Sequence, residues 1–433
     1  MALALSIRRV PRLILEHRYG FTLFAYLTAA ALTGVACVLF MWGFDFVASH
    51  RWDFDGIGPW CWVSTPLLFL LSVELVRRWA PCAAGTGIPQ AIYAARHGVA
   101  ANELRLAPLM SALTLLVKLV SILIGVFAGA STGREGPTVH IAACAFVGIM
   151  TLFRYATGLQ FELRSAVIAG GAAGLAAAFN TPLAGVTFAI EELTVDYFGS
   201  IKDYVLMAII AAGLAAKSLT GEYAYFGRLL EPPGVPVSAI IAIGLLGGLL
   251  GAAFSTAILR GQTALQARRT NASRYLIPLL FSCGLLMIAA AAGTRVLGAG
   301  NVAAQRLVEG EFGNWSFYFP FAKIGATLLT YWSGIAGGIF APCLSIGAAL
   351  GADIARLLGV SVASCALIGM AAFLSGTIQA PITSFVIIFE MTGHHQMLLP
   401  IMLGSLISFM IARLLGAKHL YQALAENYSY LLR

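Results

Sequence analysis

Three short motifs hold the residues best placed to do chemistry: Gly85-Thr86-Gly87-Ile88-Pro89, Gly133-Arg134-Glu135-Gly136-Pro137 and Gly338-Ile339-Phe340-Ala341-Pro342. Each sets glycine before proline inside or beside apolar sequence. Proline near a helix start costs little, because its missing N–H would be unpaired there anyway. Glycine lets the preceding backbone turn. Each motif therefore predicts the amino end of a helix that begins in an apolar setting. Such an end exposes unpaired N–H groups and about half a positive charge. Several ends converging on one point would bind an anion without a full cationic charge. A weak field of this kind suits an ion that must both arrive and leave.

Two carboxylates stand out beside these motifs. Glu135 lies inside the second one, and a carboxylate in apolar sequence is a functional candidate. As a small anion it would compete with another anion for the same N–H donors, and protonation would end the competition. A salt bridge with Arg134 is the plainer alternative, but adjacent helical residues diverge by about 100°. Glu192 closes the segment FAIEEL, directly after Glu191. The same divergence means that the pair cannot both face one cavity. Lys118 is either a basic residue biasing an ion path or a structural partner for a carboxylate such as Glu390. His140, with an ordinary pKa near 6.5, either responds to mild acid or satisfies local hydrogen bonds. His394 and His395 are adjacent but lack a third ligand, so no metal site is predicted. The 7 cysteines are scattered and show no pairing pattern, which fits small buried apolar residues.

The elements that must position these residues are membrane helices. Of the 433 residues, 59% are hydrophobic and 11% charged, where soluble domains carry roughly 25% charged residues. Runs free of Asp, Glu, Lys, Arg and His cover 19–44, 165–190, 232–259, 275–294, 324–352 and 357–389. Each reaches the ~20 residues that cross a bilayer. Long runs without period-two alternation favour helices over a barrel. The 46 glycines suit close helix packing. The net charge of +8 sits at segment ends and forms no single basic face, so nucleic acid is not an expected partner. Arg8, Arg9, Arg12 and Arg18 precede the first apolar run and place the amino terminus in the cytoplasm.

The chain also repeats itself. Lys118 precedes Pro137 by the same spacing that separates Lys323 from Pro342, with Gly129, Gly133 and Pro137 matching Gly334, Gly338 and Pro342. NTPLAGVTFAIEEL at 180–193 is followed in the second half by QAPITSFVIIFEMT at 379–392, and Gly85-Thr86-Gly87 has a counterpart in Gly298-Ala299-Gly300. Three matches in the same order argue for duplication, and duplicated halves in transporters often pack with inverted topology around the substrate. The expected organisation is an interfacial helix over 1–18, a first transmembrane repeat over 19–220 and a connection over 221–235 with Pro232 and Pro233. A second repeat over 236–417 and a carboxy-terminal helix and tail over 418–433 complete it, with no soluble regulatory domain.

Taken together and in this order, the three motifs resemble those of the CLC chloride channel and transporter family, prokaryotic exchanger type. The similarity runs from the first apolar segment to the final helix. The resemblance implies an all-α polytopic fold of two inverted repeats with tilted and broken helices, assembled as a homodimer with one pathway per subunit. It implies that the Thr86 hydroxyl, the backbone N–H groups of Ile339 and Phe340 and the hydroxyl of Tyr421, in HLYQAL, surround a central chloride. Gly85, Gly87, Pro89, Gly133, Arg134, Gly136, Pro137, Gly338 and Pro342 would shape the helix ends around it. Glu135 matches the gating glutamate. Glu192 matches the internal glutamate that relays protons in exchangers, leaving Glu191 a structural or dimer-interface role. The implied function is exchange of chloride for protons, without cofactor, in the lipid of a bacterial inner membrane.

The sequence departs from the family at two places. Thr86 stands where chloride-selective members usually have serine; it keeps the hydroxyl and adds a methyl group. His140 stands where exchangers usually carry an uncharged residue. Fluoride-transporting relatives lack the inner glutamate, and nitrate-preferring ones lose the hydroxyl, so chloride is the expected anion. A passive anion channel on the same scaffold is the alternative, and it leaves Glu192 idle. An intramembrane hydrolase would need HExxH or a serine in GxSxG, and neither is present. A carrier of larger zwitterions or sugar acids would need further buried charge.

Overall fold

The structure is a computed structural model that describes residues 2–51, 56–194, 203–221, 226, 234–267, 270, 272–310 and 316–432, with side chains from 19 onward except those of 100 and 266. Pro232 and Pro233 of the expected connection lie outside the described residues. Among the described residues, eighteen α-helices follow one another. The first set is α1 (Ala2–Ser49), α2 (Cys61–Trp79), α3 (Ile88–His97), α4 (Glu103–Leu106), α5 (Ala112–Phe127), α6 (Glu135–Thr157), α7 (Leu163–Phe179), α8 (Pro182–Phe188) and α9 (Asp203–Thr220). The second is α10 (Val237–Ala267), α11 (Ser273–Ala292), α12 (Asn301–Val308), α13 (Phe319–Trp332), α14 (Phe340–Leu358), α15 (Val362–Ile378), α16 (Pro381–Thr392), α17 (Leu398–Leu414) and the terminal α18 (Leu420–Ala425). Among the described residues, 8 helices are long and apolar enough to cross a membrane.

The two sets pack as copies of one another. The pairs α6–α7, α1–α9 and α2–α5 recur as α14–α15, α10–α17 and α11–α13. Matching helices also meet directly, α2 against α11, α8 against α16 and α6 against α14. At the centre of each copy is a helix that is apolar all round and therefore buried. All of α7 but Arg164, and all of α15 but Val362, are buried. Both end on a left-handed residue, Asn180 (φ 58) and Gln379 (φ 65), which stops the helix. Pro182 and Pro381 then open α8 and α16.

The α8–α16 contact fixes the relative direction of the copies. Glu191, just past the end of α8, accepts hydrogen bonds from the backbone of Ile382 (3.0 Å) and Thr383 (2.6 Å) at the start of α16. Glu390, near the end of α16, accepts from Leu183 (3.2 Å) and Ala184 (2.8 Å) at the start of α8. Each helix thus caps the other's amino end with a carboxylate, which requires the two to run antiparallel. The repeats are inverted. Of the two readings of Lys118, the pairing with Glu390 does not form: Glu390 is engaged by backbone N–H groups, and Lys118 donates to the Gly85 carbonyl at 2.9 Å. Lys118 has no carboxylate partner among the described residues.

Close approach between helices depends on the small residues. On α14, Gly347 and Gly351 lie against the backbone of Gly369 and Cys365 on α15, and a Cβ at Gly351 would fall 2.6 Å from the Cys365 carbonyl carbon. Gly351→Ala is therefore expected to destabilise the protein by about 1–3 kcal/mol through overpacking, read as a lower unfolding temperature in detergent. Glu191→Ala and Glu390→Ala should each remove a cap and lose about 0.5–2 kcal/mol. A double variant no worse than either single one would show that the caps act as one unit.

Candidate anion and proton site

The predicted helix starts all exist, and they meet. Gly87, in the left-handed region at φ 103, is the last residue before α3. Arg134 and Ile339 immediately precede α6 and α14. Between the last two, Gly133 and Gly338 exchange backbone hydrogen bonds at 2.8 and 3.0 Å, a two-residue antiparallel bridge across the internal symmetry. The Gly337 N–H donates to the Gly85 carbonyl at 3.2 Å, which ties the first motif to the third. Gly136 closes the triangle: a Cβ there would meet the Thr86 carbonyl oxygen at 2.9 Å and Gly338 Cα at 3.5 Å. The glycines at 133, 136 and 338 are needed because three backbones approach within van der Waals contact.

Around this junction the polar side chains are buried. Thr86 is 1% exposed and Tyr421 0%, and neither the Thr86 Oγ1 nor the Tyr421 hydroxyl has a protein hydrogen-bond partner. A buried hydroxyl without a partner costs on the order of 1–3 kcal/mol. The first turns of α6 and α14 bring N–H groups that their own helices cannot use. Glu135 is 0% exposed, and its Oε2 packs against Gly133 beside the bridge. Arg134 turns away and bonds Asp45 at 2.5 Å, so the adjacent-residue salt bridge does not form. Phe340 stacks near Phe179, their rings 5.4 Å apart.

Glu192 lies deeper toward the end of the same repeat. It sits in a π-helical turn, Ala189–Leu193, that continues α8. Such turns widen a helix locally and recur at functional sites. Glu191 points outward to α16, which leaves Glu192 facing inward. Glu192 is 1% exposed, and neither carboxylate oxygen has a protein hydrogen-bond partner. Tyr421 lies within electrostatic reach of both Glu135 and Glu192. A cavity of about 610 Å³ opens beside Gly85, and Arg77, Arg274, Tyr331 and Tyr428 help to line it.

His140 is placed by its packing. Its Nε2 lies 2.7 Å from the Leu109 carbonyl, and its Cβ presses on Gly87 at the start of α3. The residue thus supports the α3 end. No group of three or more His, Cys, Asp and Glu side chains suited to a metal occurs among the described residues. Asp45 and the capping role of Glu191 and Glu390 were not read from sequence. The repeat alignment pairs Glu191 with Glu390 and could have shown the second; Asp45 gives no local signal.

Comparison with known proteins places this geometry. Residues 67–413 match the family model described as voltage gated chloride channel. The chain is 31% identical over 418 residues to the H(+)/Cl(-) exchange transporter ClcA of Yersinia pestis bv. Antiqua (strain Angola), covering 91% of this chain and 84% of the relative. It is 32% identical over 396 residues to the protein of that name from Citrobacter koseri, covering 85% and 78%. Among solved structures, a slow cyanobacterial Cl-/H+ antiporter superposes with TM-score 0.77 at 26% identity, over 95% of this chain and 98% of that one. A CLC-type fluoride/proton antiporter shares the fold, with TM-score 0.74 at 21% identity over 90% of this chain and 94% of that one. With two of its three helix ends bridged at Gly133 and Gly338, the third tied in through Gly85, and a family match over most of its length, this chain belongs to the voltage gated chloride channel family.

Proposed function

We propose that the protein exchanges chloride for protons, with Glu135 as gate and Glu192 as internal proton donor and acceptor. The observation that carries the reading is the junction itself: buried, unpartnered hydroxyls of Thr86 and Tyr421 beside helix N–H groups, with a buried carboxylate at the same point. Chloride would take hydrogen bonds from the two hydroxyls and from the N–H groups of Ile339 and Phe340. The helix ends supply partial positive charge, enough to replace hydration and weak enough to release the ion. When ionised, Glu135 occupies the neighbouring N–H groups of α6 as a competing anion. When protonated, it loses its charge, leaves those donors and lets chloride through. Each turnover thereby ties a proton on Glu135 to an anion movement.

Glu192 supplies that proton from the opposite side. Its two partner-free oxygens and its reach to Tyr421 support a route from the cytoplasm toward Glu135. The basic cavity beside Gly85 would collect chloride on the same side. The relatives named as H(+)/Cl(-) exchange transporters support the same reading. We assign the protein to the inner membrane of a bacterium with its amino terminus cytoplasmic, following Arg8, Arg9, Arg12 and Arg18. The short α8 and α16 present Leu183 and Ile382 outward, a face that a second copy would cover in a homodimer.

The test is proton movement in liposomes driven only by a chloride gradient. Uphill proton transport is expected in the wild type and should vanish in Glu192→Gln and Glu135→Ala while chloride flux persists. Chloride flux without proton movement in the wild type would make the protein a passive channel. Thr86→Val keeps the shape and removes the hydroxyl; it should weaken chloride binding about tenfold, the loss of one charge-assisted hydrogen bond. An anion series in which fluoride far outruns chloride would overturn the assignment of chloride.

A further inference from the structure

The internal symmetry repeats the cradle of the central site in the other half of the molecule. In the first repeat, Lys118 is fully buried and donates to the Gly85 carbonyl, at the turn that leads through Gly87 into α3. In the second, Lys323 is fully buried and donates to the carbonyls of Val296 (2.8 Å) and Gly298 (2.7 Å), at the turn that leads through Gly300 into α12. Gly85 and Gly298 both have φ +67, and Gly87 and Gly300 are both left-handed. The two helix ends are therefore built alike, each with an ammonium fixed beside it.

Among the differences in their surroundings, one stands directly over the helix end. The repeat places Ser345 where the first half has His140. His140 uses its Nε2 on the Leu109 carbonyl, whereas Ser345 is 1% exposed and its Oγ has no hydrogen-bond partner. That oxygen faces the amino end of α12: a Cβ on Gly300 would stand 2.5 Å from it and 3.1 Å from the Lys323 Cε. The Arg51 guanidinium packs against Gly298. No carboxylate among the described residues lies within ion-pair range of Lys323. Lys323 donates to these two carbonyls and to no side chain. A buried lysine, a helix amino end and an unpartnered hydroxyl thus meet, with no carboxylate among the described residues in ion-pair range of the lysine.

We infer that the amino end of α12 is a second anion site, taking chloride or a similar small monovalent anion between Lys323, Ser345 and the first N–H groups of α12. Because the repeats are inverted, it lies on the other side of the membrane midplane from the α3 end. An anion there would wait between solvent and the Glu135 position. The inference uses the fold's symmetry and stands apart from proton coupling.

Crystals grown in bromide test it directly. Anomalous maps of the wild type should show one peak at Thr86 and Tyr421 and another at the α12 end. Ser345→Ala removes only the hydroxyl and should cut bromide affinity at α12 about tenfold, leaving the Thr86 peak in place. Lys323→Met is the stronger change, and Lys323→Arg controls for folding by keeping the charge. Bromide at Thr86 alone in the wild type overturns the α12 site. So does an α12 peak unmoved in both Ser345→Ala and Lys323→Met. A peak at α12 without one at Thr86 supports this site and instead sinks the central-site reading.

Discussion

A helix cannot satisfy the N–H groups of its own first turn, and lipid offers them no water. Most membrane helices resolve this by starting at the surface. Here α3, α6 and α14 start at a common point within the protein, and the molecule is organised around that cost. The Gly133–Gly338 bridge uses one N–H and one carbonyl from each of two motifs, and Gly337 uses another on Gly85. What these bonds leave over are the donors of the first helical turns, aimed inward with their dipoles. An anion is the natural complement, and Glu135 is an anion the chain itself provides. Its neighbour Arg134 turns away to Asp45.

Duplication supplies the frame, and departures from it supply the chemistry. The paired lysines, the paired glycine turns and the crossed caps of Glu191 and Glu390 are alike in both halves. Their partners are backbone groups, which every sequence has. Where the halves differ, side chains take up roles. Glu135 occupies the place that Phe340 holds in the second repeat, Thr86 the place of Ala299, and His140 the place of Ser345. Tyr421 comes from α18, which lies beyond the repeated part of the chain. A strictly symmetric molecule would present the same field to both sides.

Much of this was legible in the residues because the relevant signals are local. Glycine and proline announce helix starts within five residues, and long uncharged runs announce the membrane. The duplication was legible as spacing, since Lys118 to Pro137 and Lys323 to Pro342 keep their distance when the intervening residues change. What stayed hidden has two physical causes. Lys118 bonds a carbonyl, and a carbonyl has no residue signature, so a carboxylate partner such as Glu390 looked equally suitable. Asp45 reaches Arg134 across a separation of 89 residues, and nothing near Asp45 marks it. Helix packing decides such pairs, and packing is a property of the whole chain.

The adjacent glutamates show how local geometry can divide labour that composition leaves undivided. Glu191 and Glu192 are chemically identical and share one turn. The π-helical step at Ala189–Leu193 widens that turn, and the N–H groups of Ile382 and Thr383 take Glu191. Glu191 is thereby satisfied by two backbone donors. Its neighbour is turned to the interior, where neither of its oxygens has a protein hydrogen-bond partner. The capping bond that joins the repeats thus also decides which of the two glutamates faces the interior.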